Sequence, residues 1–298
     1  MTPYLLNFSP TGMVPTKQMN SRVPISVSEI VEDVLMAAEY GASIAHLHAR
    51  DPHTGAPTVD LTVFESIIQG IRQHDKQIIL GVSLSGRDVQ DPIRRASPLT
   101  LSGDVKPDMG SLTLSSLNFV HQASVNAPSV IEHLAARMVE TRIAPELEIF
   151  DLGMANYVHV LAKKGLLPPR PYANVLLGNI AGAQVTCAHI AAILSNLPPH
   201  LCVSLAGLGE QQLSANVMGI LCTQGIRIGL EDNLWFDRST NVPASNETLL
   251  KRFVTVADQL GCTPLTPSLA RQRLGLAAGD GAYGLHDADV QEGSDDDR

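Results

Sequence analysis

The sequence of 298 residues lacks the features that mark membrane and secreted proteins. It contains no run of eighteen apolar residues, which is about the length that a helix needs to cross a bilayer. No charged N-terminal region precedes a long apolar stretch, so we expect no signal peptide. The four cysteines are scattered without CxxC spacing. We expect them to behave as small hydrophobic residues, which is consistent with a reducing cytosol. We therefore predict a cytoplasmic protein.

Charge is scarce and unevenly distributed. Charged residues make up 17% of the chain, and the formal net charge is −9. Between Gly279 and Arg298, seven acidic residues and one basic residue contribute −6, so the rest of the chain carries −3. No basic stripe is present, which argues against a nucleic-acid partner. The terminal segment also lacks hydrophobic periodicity, so we predict a disordered acidic tail over 279–298 after a single domain over 1–278.

Apolar runs alternate regularly with turn signals and helical patterns. Predicted strands lie at 4–8, 43–49, 77–84, 108–114, 145–151, 173–178, 201–206 and 225–231, and predicted helices at 28–40, 61–72, 129–141, 155–164, 185–194, 211–223 and 247–260. Eight alternations over about 260 residues favour a closed (β/α)8 TIM barrel over an open doubly wound sheet. The nearly continuous apolar strands are typical of parallel strands buried on both faces. No GxGxxG motif follows the first strand, which disfavours a dinucleotide-binding fold.

The most informative stretch is the end of the second predicted strand, where His46 and His48 precede the turn-rich segment 51–55. Side chains alternate along a strand, so His46, His48 and Arg50 share one face. Two imidazoles at the end of a buried strand can bind one divalent ion together. The alternative is a pair of hydrogen-bonded core histidines.

Glu231 ends the eighth predicted strand and offers a carboxylate to the same ion. Functional residues of such barrels lie at the carboxyl ends of the strands, and only strand one separates strands two and eight in the ring. Two histidines and one glutamate with an open fourth position are typical of a catalytic zinc site, although iron or manganese would also suit these ligands. A salt bridge at the rim, for example with Arg50, is the alternative role for Glu231.

Other polar groups are expected around this ion. Arg227 has the parity of Glu231 and should point into the barrel mouth, and Asp232 follows the candidate ligand directly and could act as a base. We expect the nearby arginine to lower the pKa of Asp232. The loops after strands three and four offer the hydroxyls of Ser83 and Ser111, although hydroxyl-rich loops are common on protein surfaces.

Six segments of the chain resemble one enzyme family. These are NFSPTG (7–12), HLHARDPHTG (46–55), SLSGR (83–87), PDMGSLTLSSLNF (107–119), PELEIFD (145–151) and IRIGLEDN (226–233). Together they resemble the β-keto acid cleavage enzyme family over nearly the whole chain except the tail. The resemblance implies a (β/α)8 barrel in which His46, His48 and Glu231 hold Zn²⁺. It also implies a reaction in which a β-keto acid and acetyl-CoA give acetoacetate and a new acyl-CoA.

The same resemblance implies the roles of the surrounding residues. Ser83, Gly86 and Ser111 would bind the acetoacetate-like end of the substrate, while Arg227 and Asp232 would form an acid–base pair. A β-keto acid can chelate zinc through its ketone and carboxylate oxygens, and Asp232 would help to form the acetyl-CoA enolate. Family members tend to form homo-oligomers, so the resemblance implies one here.

The sequence departs from the family at two positions. Members that act on an amino β-keto acid carry a glutamate after strand one that receives the ammonium, and Val14 stands there in this chain. Because burying an unpaired ammonium is costly, we expect a neutral or apolar substrate tail. In the loop after strand seven, Glu210 replaces a residue that is often basic in relatives, which removes a candidate contact for the CoA phosphates.

Two other function classes fit parts of the pattern. A metal-dependent hydrolase or aldolase could use the same barrel, but the amidohydrolase pattern needs HxH on strand one and further ligands on later strands. The remaining candidate histidines lie in predicted helices or loops, namely His121, His133, His159 and His189. A non-catalytic barrel that binds a keto acid would keep the metal without turnover.

Overall fold

The computed structural model describes residues 2–286, and its central feature is a ring of eight parallel strands. The strands are β1 Thr2–Phe8, β2 Ile44–Leu47, β3 Ile79–Val82, β4 Met109–Thr113, β5 Ala144–Ile149, β6 Tyr172–Leu177, β7 Cys202–Gly207 and β8 Gly225–Ile228. Each strand pairs with the next in the chain, and β8 pairs with β1, with Phe8 beside Ile228. The ring is therefore closed, and the predicted (β/α)8 barrel is confirmed.

The described part of the chain contains eight helices of eight or more residues, seven of which alternate with the strands or follow β8, while the last packs at the amino-terminal end of the barrel. They are α1 Val27–Glu39, α2 Leu61–Arg72, α3 Pro128–Thr141, α4 Leu152–Lys163, α5 Cys187–Ser195, α6 Gln212–Cys222, α7 Asn246–Gln259 and α8 Pro267–Leu274. Polar side chains start several of them: Ser26 and Glu29 form a capping box on α1, and Asp60 and Asp151 accept backbone N–H groups at the starts of α2 and α4. Between β3 and β4 the chain forms only short turns of helix, at Pro92–Arg95, Ser97–Thr100 and Gly103–Val105.

Short strands lie outside the regular alternation. Cys262–Pro264 pairs with the start of β1. Two small hairpins, Leu117–Asn118 with Ala123–Ser124 and Trp235–Asp237 with Val242–Pro243, belong to the loops after β4 and β8. Both hairpins therefore stand at the carboxyl-terminal rim of the barrel, where they add to the walls of its mouth.

The interior of the barrel changes from apolar to polar along the strands. Near the amino-terminal ends, buried apolar side chains pack together, namely Leu5, Ile44, Ile79, Met109, Ala144, Tyr172 and Cys202. Two residues further along the strands, the buried side chains of the same parity are polar, namely Asn7, His46, Ser111, Glu146, Asn174, Ser204 and Arg227. The polar layer leads directly to the carboxyl-terminal mouth.

The opposite end of the barrel is closed by the last described residues. Asp108 accepts hydrogen bonds from Arg271 at 2.8 and 2.9 Å and from the Gly284 N–H at 3.0 Å. Tyr283 is buried, with the Arg72 guanidinium 3.2 Å from its ring centroid. Residues 279–286 of the predicted tail thus pack on the barrel, whereas the predicted disorder of 287–298 lies outside the described residues. Across residues 2–286, the helices are too short or too polar to span a bilayer.

Candidate metal centre and active site

The ends of β2 and β8 bring two imidazoles and a carboxylate together. His46 lies in β2, His48 follows its last residue, and Glu231 lies three residues after β8. His46 Nε2 is 3.2 Å from His48 Nε2, and His48 Nε2 is 3.1 Å from Glu231 Oε1. One ligand atom from each residue fits within 4.8 Å of the other two. The three side chains predicted to share a cation therefore converge on one point.

The donor atoms fit a divalent metal. Both Nε2 atoms face the same point, where a lone pair on each would need a positive partner. Glu231 Oε2 is buried and accepts no hydrogen bond from residues 2–286. Since buried carboxylate oxygens are nearly always paired, this oxygen is available to a cation. Two histidines and one carboxylate around an open position can hold a divalent metal ion.

Two glycines make room for Glu231 in the mouth. Gly229 has φ +156°, and a Cβ there would lie 2.0 Å from the Ser9 carbonyl oxygen. A Cβ on Gly12, in the loop after β1, would lie 2.4 Å from Glu231 Cγ. Larger side chains at either position would therefore push the loops after β1 and β8 apart. Gly229 also explains why β8 ends at Ile228, before the position predicted from the sequence.

Glu146 holds His46 from behind. His46 Nδ1 is 2.7 Å from Glu146 Oε2, while Glu146 Oε1 accepts hydrogen bonds of 2.7 Å from the side-chain amides of Asn7 and Asn174. Gly81 leaves the space, because a Cβ there would lie 2.9 Å from Glu146 Oε2. A carboxylate behind a metal-binding histidine fixes the ring and raises its basicity. Sequence reasoning assigned no role to Glu146, although its place on one face of the fifth predicted strand could be seen.

Charge compensation inside the site sets the pKa values of these groups. Burial lowers the pKa of His46, but the carboxylates of Glu146 and Glu231 outweigh burial and raise it to about 9. Burial dominates at His48, whose pKa is lowered. Burial alone would raise the pKa of Glu231, yet Arg227 and the two histidines hold it well below its usual range. Glu231 is therefore an anion at neutral pH.

Arg227 connects Glu231 to Asp232. Its Nε and Nη2 donate to the Asp232 carboxylate at 2.9 and 3.2 Å, and Nη2 also lies 2.8 Å from Glu231 Oε1. Burial raises the pKa of Asp232, and Arg227 only partly offsets this effect. The expectation of a lowered pKa for Asp232 is therefore wrong: Arg227 acts in the expected direction, but burial, whose depth the sequence does not reveal, outweighs it. A raised pKa brings a carboxylate closer to that of an efficient general base.

A fourth acidic side chain, Glu148, lies beside the same arginine. Glu148 Oε1 is 3.7 Å from Arg227 Nη1, and Glu148 Oε2 accepts a 2.6 Å hydrogen bond from the Thr113 hydroxyl. The Glu148 side chain is 14% exposed, so it faces the open mouth. Its position two residues after Glu146 on β5 is the sequence signal that could have found it.

The residues expected to bind substrate come from β4 and from the loops after β1 and β3. Ser83 lines a small cavity together with His48 and Met13. The Ser111 hydroxyl accepts the Leu84 N–H at 3.0 Å, so Ser111 also holds the loop after β3. Ser83 therefore follows the end of β3 beside His48, whereas Ser111 lies within β4 in the polar layer of the barrel.

The other two expected positions differ in their packing. Gly86 is tightly packed, since a Cβ there would lie 2.7 Å from both Arg95 Nη1 and the Val125 carbonyl oxygen. Only a glycine fits there without movement of the loop after β3. Val14, in the loop after β1, is 46% exposed and offers no charge to a substrate.

Arg50 and Glu210 have partners outside the centre. The Arg50 guanidinium donates to the carbonyl oxygens of Gly12, Pro15 and Gly55, and Glu231 pairs with Arg227 instead. The alternative of an Arg50–Glu231 salt bridge is therefore not formed. Glu210 lies 3.6 Å from Arg238, and both side chains are exposed.

Two of the candidate histidines outside the centre make hydrogen bonds within helices and loops. His159 lies 2.8 Å from the Asn196 carbonyl oxygen, and His189 Nδ1 accepts the Gln184 N–H at 2.8 Å. Over residues 2–286, no second group of histidine, cysteine, aspartate or glutamate side chains could hold a metal ion. This observation disfavours an amidohydrolase centre, which needs further ligands.

Fold and site together define a class of (β/α)8 barrels with a candidate metal centre at the carboxyl ends of the strands. The family model described as beta-keto acid cleavage enzyme matches residues 3–276 of this chain. The chain therefore belongs to the β-keto acid cleavage enzyme family, and the resemblance found in its motifs is confirmed.

Individual relatives agree with this assignment. The chain is 33% identical to a 3-oxoadipate:acetyl-CoA acetyltransferase of Cupriavidus necator over 278 residues, 92% of this chain and 95% of the relative. It is 30% identical to a 3-keto-5-aminohexanoate cleavage enzyme of Acetoanaerobium sticklandii over 268 residues, 89% and 96% of the two chains. A structure of ObcA with oxaloacetate superposes with a TM-score of 0.71 at 20% identity, covering 86% of this chain and 68% of ObcA, which supports the fold alone.

Proposed function

We propose that this protein is a zinc-dependent acyltransferase that cleaves a β-keto acid. The acyl group leaves the CH₂ carbon of the acid for the sulfur of CoA, and the acetyl group of acetyl-CoA takes its place on that carbon. The products are acetoacetate and a new acyl-CoA. The observation that carries this proposal is the convergence of His46, His48 and Glu231 beside the Arg227–Asp232 pair, in a chain of this family.

Each residue of the site has a defined task in the proposal. A divalent ion held by His46, His48 and Glu231 would polarise the ketone of the acid. Asp232, with its raised pKa, accepts a proton from the CH₂ carbon of the acid, and the resulting enolate attacks the acetyl carbonyl carbon of acetyl-CoA. Arg227 orients Asp232 through two hydrogen bonds.

The rim of the barrel binds the ends of the substrate. Ser83, Ser111 and the backbone at Gly86 hold the carboxylate end of the acid, because Ser83 lines the cavity beside His48 and Ser111 holds the loop after β3 that carries Gly86. Val14 supplies no anion for an ammonium, so an amine-bearing tail is disfavoured at that position. Named relatives act on acids with different tails, and the loops are where such differences arise.

Zinc is preferred here to iron or manganese because His₂Glu with an open position is a common zinc set. A cytoplasmic location and a homo-oligomeric state belong to the same proposal. Scattered cysteines support the location, and the family resemblance supports the oligomer. Mass determination in solution would test the oligomer.

The proposal is tested with purified protein, metal analysis and a panel of β-keto acids. We expect about one zinc ion per chain, acetoacetate formation that requires acetyl-CoA, and loss of turnover on chelation with recovery when zinc is restored. Asp232→Asn should retain zinc and lose turnover by about 10²-fold or more. Asp258→Asn, at an exposed aspartate on α7, is the matched control and should behave as wild type.

The alternatives give different results in the same assay. Cleavage without acetyl-CoA would favour the hydrolase or aldolase. Binding of keto acids without turnover in the metal-loaded wild type would favour a non-catalytic barrel. Full turnover in a metal-free preparation would refute the metal-dependent mechanism.

A further inference from the structure

Arg87 is held over the barrel mouth by an aromatic platform. It lies in the loop after β3, and its guanidinium carbon is 3.5 Å from the Phe119 ring centroid. Phe119 belongs to the loop after β4 and packs edge-to-face on Phe150 at the end of β5, with 5.7 Å between ring centroids. Stacking on a ring orients a guanidinium without using its N–H donors. The side chain therefore spans the rim from β3 towards β5 with its donors free.

No anion in the described chain pairs with Arg87. Its guanidinium makes neither a hydrogen bond nor an ion pair with any of residues 2–286, although the residue is half-buried. The neighbouring arginines behave differently: Arg50 donates to three carbonyl oxygens, Arg95 to Leu84, Val125 and Asn126, and Arg227 to Asp232. A partly desolvated guanidinium with five unused donors is a binding site for an anion.

Arg87 faces the same mouth as the metal centre. Ser85 and Asp88, on either side of it in the loop, line the small cavity beside His48. Burial lowers the pKa of Arg87, and the charges that offset part of this effect are first those of Glu231 and Glu148. Because its loop lines the cavity beside His48, Arg87 lies at the same mouth as the metal centre.

We propose that Arg87 binds a carboxylate at the far end of the substrate, which makes a dicarboxylic β-keto acid the preferred substrate class. This inference rests on the proposed function, in which the metal and Ser83 hold the β-keto carboxylate end. The tail then extends from the ketone carbon across the mouth, where Val14 is uncharged and Arg87 is an unpaired cation. A planar guanidinium matches a carboxylate with two parallel hydrogen bonds. Val14 alone favours a substrate with a neutral or apolar tail. With Arg87 taken into account, we expect an anionic tail instead.

The test compares two acids of equal length, a six-carbon 3-oxo dicarboxylic acid and 3-oxohexanoic acid. Arg87→Gln is measured beside Arg94→Gln, which removes an exposed arginine of the same segment, and Arg87→Lys, which keeps the charge. We expect wild type to prefer the diacid. Arg87→Gln should lower kcat/KM for the diacid by about 10- to 100-fold, the range for charge-assisted hydrogen bonds. The same variant should change the monoacid by less than about 3-fold, the range of a surface substitution.

Calorimetric binding of each acid without acetyl-CoA provides a readout that does not need turnover. Arg87→Gln should weaken diacid binding alone, Arg87→Lys should lose part of the affinity, and Arg94→Gln should match wild type. Equal losses for both acids would overturn the proposal. A raised KM for acetyl-CoA with either acid would overturn it too, because Arg87 would then bind a CoA phosphate. Diacid binding without any cleavage would contradict the proposed function and leave the carboxylate site supported.

Discussion

At the scale of single residues, Glu146 decides which nitrogen of His46 faces the centre. Its Oε1 is already occupied by the amide donors of Asn7 and Asn174, so only Oε2 is left for His46 Nδ1. A carboxylate accepts and cannot donate, so His46 must carry its proton on Nδ1. Its Nε2 faces the metal position, where a bound cation would take the place of the second proton. A buried residue that never touches the ion thus prepares a ligand for it.

Glu146→Gln should therefore weaken metal binding more than the loss of one charge suggests. The two asparagine donors need the carbonyl oxygen of Gln, which turns its NH₂ towards His46 Nδ1. His46 must then accept at Nδ1 and carry its proton on Nε2, where the metal would bind. We expect the metal dissociation constant to rise by about 10- to 100-fold, measured by competition with a chelating dye. Unchanged affinity in a folded variant would show that the tautomer is not set by Glu146.

Strand parity in the sequence was enough to identify the candidate metal ligands. The sequence did not show how deeply each side chain is buried, or how burial changes its pKa. His46, His48 and Glu231 could be found because strand ends of a barrel share one rim. The raised pKa of Asp232 could not be predicted, because it depends on burial that only the folded chain defines. The platform under Arg87 was equally invisible, since Phe119 reaches it from a hairpin without a turn signature in the sequence.

At the scale of elements, the first turn of α7 fixes the two loops that flank Glu231. Asn246 accepts the Leu230 N–H at 2.8 Å and donates to the Pro10 carbonyl oxygen at 3.0 Å. Its amide also donates to Asp33 on α1 at 2.7 Å. Helices α1 and α7 therefore hold the loops after β1 and β8 through one buried amide. Burial raises the pKa of Asp33 to about 6.

Asp33 should make the protein less stable as the pH rises from about 4 to about 6. Because its pKa is raised in the folded state, its contribution is complete below the unfolded value near 3.8 and is lost as pH rises through 6. Asp33→Asn keeps an acceptor for Asn246 and removes the buried charge. At pH 7 we expect this variant to be more stable than wild type by roughly 1–3 kcal/mol, and equal to it near pH 4.

Urea unfolding at several pH values measures this difference. Asp258→Asn, which removes an exposed charge from α7, should follow the wild-type curve. A constant difference between Asp33→Asn and wild type at all pH values would contradict the assignment, because Asp33 would then contribute through packing alone.

Elements were predictable where periodicity is strong and were missed where pairing is short. All eight barrel strands and the seven predicted helices overlap the observed ones. The helix Pro267–Leu274 was not predicted from the sequence. The two rim hairpins were also missed, because their strands of two or three residues are too short to show alternation. The end of β8 was placed too late because Gly229 turns the chain, which a strand pattern does not indicate.

At the scale of the whole molecule, the two ends of the barrel have different tasks. The carboxyl ends of the strands hold the polar centre, while the amino ends are closed by a cluster around Asp108. That cluster includes Arg271, Arg72 and the Tyr283 ring, which residues 279–286 bring back to the barrel. Stability and chemistry are thereby separated along the barrel axis.

Removal of residues 279–286 should destabilise the barrel without altering its centre. A chain ending at residue 286 is the reference, because it keeps every described contact of this segment. A chain ending at residue 278 loses the buried Tyr283 ring and its Arg72 contact, a loss of about 3 kcal/mol or roughly 5–10 °C in Tm. Tyr283→Ala in the full chain should reproduce most of the loss. Equal Tm values for both truncated chains would place the domain boundary at 278.

The polar layer inside the barrel constrains how this enzyme can diversify. Asn7, Glu146 and Asn174 come from three strands and meet in one network behind His46, so an exchange at any of them disturbs the others. Val14 and Arg87 stand on loops and belong to no such network. Single substitutions in the loops can therefore change which acid is preferred. The residues that carry the reaction depend on one another and would have to change together.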